Sequence, residues 1–259
     1  MGTYGEIQEG FLAERTRLLE AMEQPENRAL SLRLIGALAF RTHCPGFGRL
    51  QDALGRVFTD IDFVGYSRDF KAILRFLAEA GYEEDKMVTR LFGEGRLIFH
   101  DPLFGRHIDV FLDKLDFCHR LPFVGRLEAD RPTVPLAELL LEKMQIVRIN
   151  EKDLIDTIML LREHPVGEGD DQTINAKIIC GFVADDWGWW RTFTGNLDIV
   201  IEFLGRYPQL DAEDVHIVTH RVNELRSLID TAPKSRRWKM RASVGDRVKW
   251  YRDVEELLR

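Results

Sequence analysis

The chain has 259 residues, of which 45% are hydrophobic and 31% charged, with a net charge of −7. That is enough for one large domain or two modest ones, and the composition is that of an ordinary soluble globular protein. With no run of 18 apolar residues and no basic leader ahead of an apolar segment, a cytoplasmic protein without a membrane span is expected, and the acidic balance excludes a protein that coats nucleic acid with its whole surface. A local basic patch stays compatible with it. Cys44, Cys118 and Cys180 are too widely spaced for a CxxC metal site and odd in number, so three reduced thiols in or near the core are expected.

Residues 6–22 place Ile7, Phe11, Leu18, Leu19 and Met22 on one helical face, with Pro25 as a stop. Leu30 to Ile35 alternates as a strand and runs into Gly36-Ala37-Leu38-Ala39-Phe40. Small residues at a strand-to-helix turn let backbone N–H groups approach a phosphate, although the same residues also serve packing. The segment 44–56, with Pro45, Gly46, Gly48 and Gly55, reads as a loop.

Next comes Val57-Phe58-Thr59-Asp60-Ile61-Asp62-Phe63-Val64, in which apolar residues alternate with two carboxylates. Side chains at i and i+2 of a strand share a face with Cα atoms roughly 7 Å apart, so Asp60 and Asp62 stand together while Ile61 and Phe63 face a core. Two such charges repel by about 3 kcal/mol at an effective dielectric of about 20, and a cation between them relieves this. Hard oxygen ligands favour Mg²⁺ or Mn²⁺. With 43 acidic residues in 259, random placement gives roughly seven acid-x-acid pairs, so this pair gains its meaning from its neighbours.

Asp69 to Leu77 has helical periodicity and stops at Gly81. Two strand-like runs follow, Met87 to Phe92 and Arg96 to His100, and after the turn 101–105 a third, His107 to Asp113. In the last, Ile108, Val110 and Leu112 share one face and Asp109 lies on the other, where it either faces solvent or completes a site with the first pair. Pro135 opens a helix to about Val147 and Glu151 another to about His164; their alternating charges, among them Glu142, Lys143, Lys152 and Asp153, read as solvated faces.

Gly167-Glu168-Gly169-Asp170-Asp171 is the best linker candidate, which divides the chain into domains 1–166 and 167–259. The remainder reads as helical, with an aromatic cluster at Trp187, Trp189 and Trp190. Residues 234–252 gather eight cations around Trp238, Trp250 and Tyr251. Such a mixture binds phosphates and stacks bases in some proteins, and more often is a cationic helical surface whose aromatics lie in the core.

In this order, Gly36-Ala37, Asp60-Ile61-Asp62, Asp109 on a later strand and a helical tail resemble the nucleotidyltransferase superfamily with the DNA polymerase β-like catalytic fold. More narrowly, Ile35 to Phe40 through His43, Phe58-Thr59-Asp60-Ile61-Asp62, Leu141-Glu142-Lys143, and Lys152-Asp153 with Asp156 are similar to the four motifs of the AbiEii-like branch, which includes toxin nucleotidyltransferases. The resemblance covers about residues 28–164. It implies an α+β fold with a mixed sheet and flanking helices, followed by a helical C-terminal domain. It also implies transfer of a nucleoside monophosphate from an NTP to a hydroxyl of an RNA, protein or small-molecule acceptor, with an antitoxin as a candidate partner.

By the same resemblance Asp60 and Asp62 ligate Mg²⁺ or Mn²⁺, and Asp109 shares a metal and is the general base. Gly36 and Ala37 hold the β- and γ-phosphates, Lys143 neutralises phosphate charge, and Lys152 and Asp153 support the site. Two departures stand out: Ala37 replaces the family's usual Gly or Ser and supplies no hydroxyl, and the interval from Gly36 to Asp60 is long, as if 44–56 were inserted. These departures suit the competing reading, a catalytically silent nucleotide- or partner-binding module. Retention of three carboxylates speaks against it, because facing like charges are costly without a metal.

Overall fold

A computed structural model describes residues 3–253. The protein is mixed α/β and divides into two compact units. The first takes the chain up to Thr42, returns for Val57–Leu115 and again for Pro122–Pro135; the second holds His43–Arg56, Asp116–Leu121 and everything from Leu136 onward. The boundary expected between 166 and 167 falls inside the second unit.

The first unit opens with α1 (Tyr4–Met22), closed at its start by a capping box between Thr3 and Glu6. Strand β1 (Leu32–Ile35) leads directly into α2 (Gly36–His43), and β2 (Ile61–Gly65) into a 3₁₀ turn and α4 (Phe70–Glu79), the short α3 (Arg49–Ala53) belonging to the second unit. Then come β3 (Glu83–Glu84), α5 (Lys86–Phe92), β4 (Arg96–His100) and β5 (His107–Leu112). The five strands form one mixed sheet in the order β1-β2-β5-β4-β3, in which only β2 and β5 run parallel. Ile61, Phe63, Ile108, Val110, Leu97 and Phe99 are buried to 1% exposure or less, so the central strands are covered on their apolar face. Helix α4 buries Ile73, Phe76 and Leu77, an i, i+3, i+4 stripe.

The buried face of α1 differs from the expected one. Phe11, Leu18 and Met22 are buried as read, while Ile7 is exposed and the polar Gln8 and Glu14 are buried instead. Each has a partner that explains it. Gln8 Oε1 accepts from the Phe58 backbone N–H at 2.9 Å, and Glu14 accepts from the Tyr82 hydroxyl at 2.7 Å and from Arg17. Burial pushes the Glu14 carboxyl up, and the hydrogen bonds from Arg17 and Tyr82 outweigh it and leave it lowered.

Two further expectations are corrected. Residues 87–92 are helical, because Asp85 caps the turn by accepting from Met87 N and Val88 N at 3.0 Å each, and Met87, Leu91 and Phe92 stay exposed with no strand to pair. The segment 44–56 is no free loop: it contains α3, its Gly46 and Phe47 N–H groups donate to Glu163, and Gln51 and Arg56 reach Asp156.

In the second unit, after the short strands β6 (Lys114–Asp116) and β7 (Arg120–Pro122), every residue of α6 (Leu136–Met144) is buried. Helix α7 (Glu151–Glu163) packs on α6 and on α10 (Ala212–Thr231), and α8 (Ala176–Asp185), α9 (Trp187–Leu204) and α10 pack on one another. The glycine-rich stretch after α7 is bridged by a two-residue parallel pair, β8 (Val166–Gly167) with β9 (Ile174–Asn175). Helix α11 (Arg236–Val244) lies on α8 and α9. Cys44 and Cys118 are buried and Cys180 half-buried, all three as free thiols. Among the described residues no helix is long and apolar enough to cross a membrane.

One relay fastens the end of the described chain to α9. Trp250 Nε1–H donates to Thr192 Oγ1 at 3.0 Å, and the Thr192 hydroxyl shares a hydrogen bond of 2.8 Å with His119 Nε2. Arg252 N–H closes on the Cys118 carbonyl at 3.0 Å, and Gly188 is required because a Cβ there would meet the Trp250 carbonyl at 2.7 Å. Burial pushes the His119 pKa down to about 4, with Asp186 opposing and Arg252 assisting, so the ring is neutral near pH 7. Its folded value lies below the unfolded one, so as pH falls from about 6.5 towards about 4 the unfolded chain takes up a proton that the folded chain refuses. His119→Gln is expected to remove up to about 3 kcal/mol of acid destabilisation over that window. Urea unfolding of both proteins at steps across it measures the difference, and parallel curves would show that His119 is not the group responsible.

Candidate functional site

Parallel pairing of β2 with β5 sets Asp62 opposite Asp109, and antiparallel pairing of β1 with β2 sets Ile35 opposite Asp62, so that Gly36 is the next residue along. Asp60 comes one residue before β2. The result is a cluster in which one carboxylate oxygen from each of Asp60, Asp62 and Asp109 lies within 4.8 Å of the others, Asp109 being buried and the other two half-buried. Each pair at that spacing repels by about 3 kcal/mol at an effective dielectric of about 20. Three hard oxygen donors on a rigid sheet, with half-buried members open to water, fit a divalent cation of the Mg²⁺ or Mn²⁺ kind.

The surroundings orient these carboxylates. Arg96 Nη2 donates to Asp109 Oδ2 at 2.8 Å, and its guanidinium lies 5.3 Å from the Phe111 ring centroid. Thr59 Oγ1 donates to Asp60 Oδ1 at 3.0 Å. Upstream, the Gln8 contact pins Phe58 and with it the approach to Asp60. Gly36 has φ +68°, and a Cβ built there would stand 2.3 Å from Asp62 Oδ2. The Asp62 carboxylate thus lies against the first residue of α2, where the helix dipole favours negative charge. Ala37 follows it, buried at the start of the helix.

The remaining expected residues form a separate cluster in the second unit. Lys143 Nζ lies 3.0 Å from Asp153, 3.4 Å from Glu142 and 3.6 Å from Asp156. Asp156 has no exposure and also accepts from Gln51 Nε2 at 2.7 Å and from Arg56 Nη2 at 3.3 Å. Burial pushes the Lys143 ammonium down, and the Asp153, Glu142 and Asp156 charges more than reverse it, so it stays protonated. These charges are therefore not a solvated face. Lys152 alone is exposed. Sequence reading missed Arg96, Gln8, Gln51 and Arg56, because each finds its partner only through strand register or helix packing.

No family model matches the chain, and no curated protein matches it.

Two substitutions probe the two clusters. Gly36→Ala is expected to cost about 1–3 kcal/mol, since a β-carbon at positive φ is strained and Asp62 must swing aside. Urea unfolding checks it, and an unchanged midpoint would show that the close approach is relaxed. Lys143→Met should cost about 3–5 kcal/mol by leaving Asp153, Glu142 and Asp156 facing one another. A loss under about 1 kcal/mol would mean that the buried cluster contributes little to the fold.

Proposed function

We propose that the chain is a metal-dependent nucleotidyltransferase with a DNA polymerase β-like catalytic fold, similar to the AbiEii-like branch. The reading is carried by the convergence of Asp60, Asp62 and Asp109 within 4.8 Å, beside the glycine turn that starts α2. It is supported by the placement of Asp62 and Asp109 on paired strands, with Asp60 one residue before β2, since positioning is most of what nucleotidyl transfer requires of a protein.

In this reading Asp60, Asp62 and Asp109 hold Mg²⁺ or Mn²⁺, which when bound neutralises triphosphate charge and favours ionisation of the acceptor hydroxyl. The acceptor oxygen forms a bond to the α-phosphorus, the bond from that phosphorus to the bridging oxygen of the β-phosphate breaks, and pyrophosphate leaves. Asp109 receives the hydroxyl proton, with its other oxygen held by Arg96. The N-terminus of α2 at Gly36 and Ala37 faces phosphate charge, using backbone N–H groups in place of the hydroxyl that Ala37 lacks. Acceptor classes remain those the resemblance implies: an RNA, a protein or a small molecule bearing a hydroxyl.

Calorimetric titration of each NTP with Mg²⁺ or Mn²⁺ tests the reading, using the wild type and an Asp60→Ala, Asp62→Ala variant. Metal-dependent binding that weakens at least about 100-fold in the variant, about 3 kcal/mol, is expected. Absence of binding for every NTP with both metals would remove the nucleotidyltransferase reading. Binding without pyrophosphate release across all acceptor classes would instead favour the silent nucleotide-binding module.

A further inference from the structure

The second unit carries a solvent-open cleft of about 720 Å³ whose cations include Arg120, Arg237, Arg241, Lys249 and Arg252. Among the described residues Asp186 is the one carboxylate in its wall, and its Oδ1 is already occupied by the N–H groups of Gly188 and Trp189 as the cap of α9. Some of the cations are committed within the fold: Arg252 pairs with Asp116, Lys249 with Asp253, and Arg241 donates to the Gly245 carbonyl at 2.7 Å. Arg237 is held only loosely, since its side chain is 77% exposed and its ion pair with Asp186 Oδ2 spans 3.9 Å. Among the described residues the side chain of Arg120 makes no hydrogen bond or ion pair, and neither do those of Arg236, Lys239 and Arg247. Among the described residues the cleft therefore carries more cations than carboxylates, and the excess continues along α11 beyond its wall.

Its remaining surface is aromatic. Half-buried Trp250 and Tyr251 contribute to the wall, with Lys249 4.9 Å from the Tyr251 centroid and Arg191 5.5 Å from that of Trp250. Met240, 72% exposed, adds an apolar side chain on the α11 side. Flat rings among cations, even where Lys249 pairs with Asp253 and Arg191 with Asp246, match a ligand that alternates flat bases with phosphates. A volume in the roughly 300–1,000 Å³ range of ligand sites accommodates such units, and α11, nine residues or about 13 Å long, spreads its cations over more than one phosphate spacing. A duplex would hide the base faces, whereas a single strand presents them.

We propose that this cleft binds single-stranded nucleic acid, with Arg120 and Arg237 contacting phosphates and Tyr251 offering a ring to a base. The proposal does not rest on nucleotidyl transfer, and its test needs neither metal nor NTP.

The test is fluorescence anisotropy of labelled oligouridylate and oligothymidylate of roughly twelve nucleotides, titrated with the full chain between about 50 and 250 mM salt. The wild type should bind, and Arg120→Glu with Arg237→Glu should weaken binding at least about tenfold and flatten the salt slope by about 1.4, near 0.7 per lost contact. Arg237→Ala alone should give about half that change in slope. Tyr251→Leu should weaken binding by roughly tenfold while leaving the slope unchanged. Lys71→Glu, on exposed α4 of the first unit, should bind as the wild type does. Circular dichroism and melting midpoints establish that each variant is folded. The proposal is overturned by absence of binding at the lowest salt, by an equal loss in Lys71→Glu, or by a mononucleotide or an acidic peptide binding as tightly as the oligomers.

Discussion

The parallel pairing of β2 with β5 is the constraint on which the first unit depends. It is the sole parallel contact in the five-stranded sheet, and it places Asp62 directly opposite Asp109. Directly opposed like charges destabilise a sheet, so this register persists against its own electrostatics. A shift of one residue would turn Asp62 to the face now filled by Ile61 and Phe63 and would bring those rings and branches out. The apolar face therefore holds the charged face in place: burial of Ile61, Phe63, Ile108 and Val110 fixes the register, and the register brings the carboxylates together. Gly36, Arg96 and Gln8 act on this fixed frame, the first by giving Asp62 room, the second by taking one oxygen of Asp109, the third by setting the strand entry.

The two clusters of charge resolve the same problem by different means. In the second unit Asp153, Glu142 and Asp156 surround an ammonium, and Arg56 adds a further cation to Asp156. Protein groups answer protein groups there, and the chain segment carrying Gln51 and Arg56 is locked to α7 as a result. In the first unit three carboxylates face one another, and Arg96 donates to Asp109 Oδ2 at 2.8 Å. The three carboxylates converge on the central strands and their approach instead of surrounding a protein ammonium, an arrangement that offers hard oxygen ligands to a divalent cation.

Much of this was legible before the fold was known, for physical reasons that also mark the limit. The alternation around Asp60 and Asp62 and around Asp109 is a period-two pattern, which states directly which side chains share a face. It could not state that the two strands are neighbours, because pairing is a long-range choice. Residues 87–92 misled for a local reason: their apolar residues fit a strand as well as a short helix, and the deciding contact is a cap from Asp85 just outside the run. Glu142 and Lys143 read as part of solvated faces and are buried, because spacing on a helix gives a face and not its surroundings. Gln8 and Glu14 show the converse, polar residues buried on α1 since partners from elsewhere in the unit satisfy them.

The basic and aromatic stretch near the C-terminus divides two readings that composition alone could not part. Trp187 and Trp189 are 5% and 4% exposed, and Trp190 stacks edge-on to Trp238 at 5.3 Å, so these rings are packing elements of α9 and α11. Trp250 is both: its indole N–H anchors the chain to Thr192, and part of its ring remains in the cleft wall. Arg241 lies over the Trp187 ring, while Arg236, Arg237 and Lys239 of the same helix are exposed. A helix built only to close a core could carry any soluble face, acidic ones included, and in a chain with a net charge of −7 an acidic face would be the ordinary outcome. Concentrating exposed cations beside an open aromatic cleft departs from that background, and the departure is local, which is the pattern produced when one surface of an acidic protein is set apart for an anion.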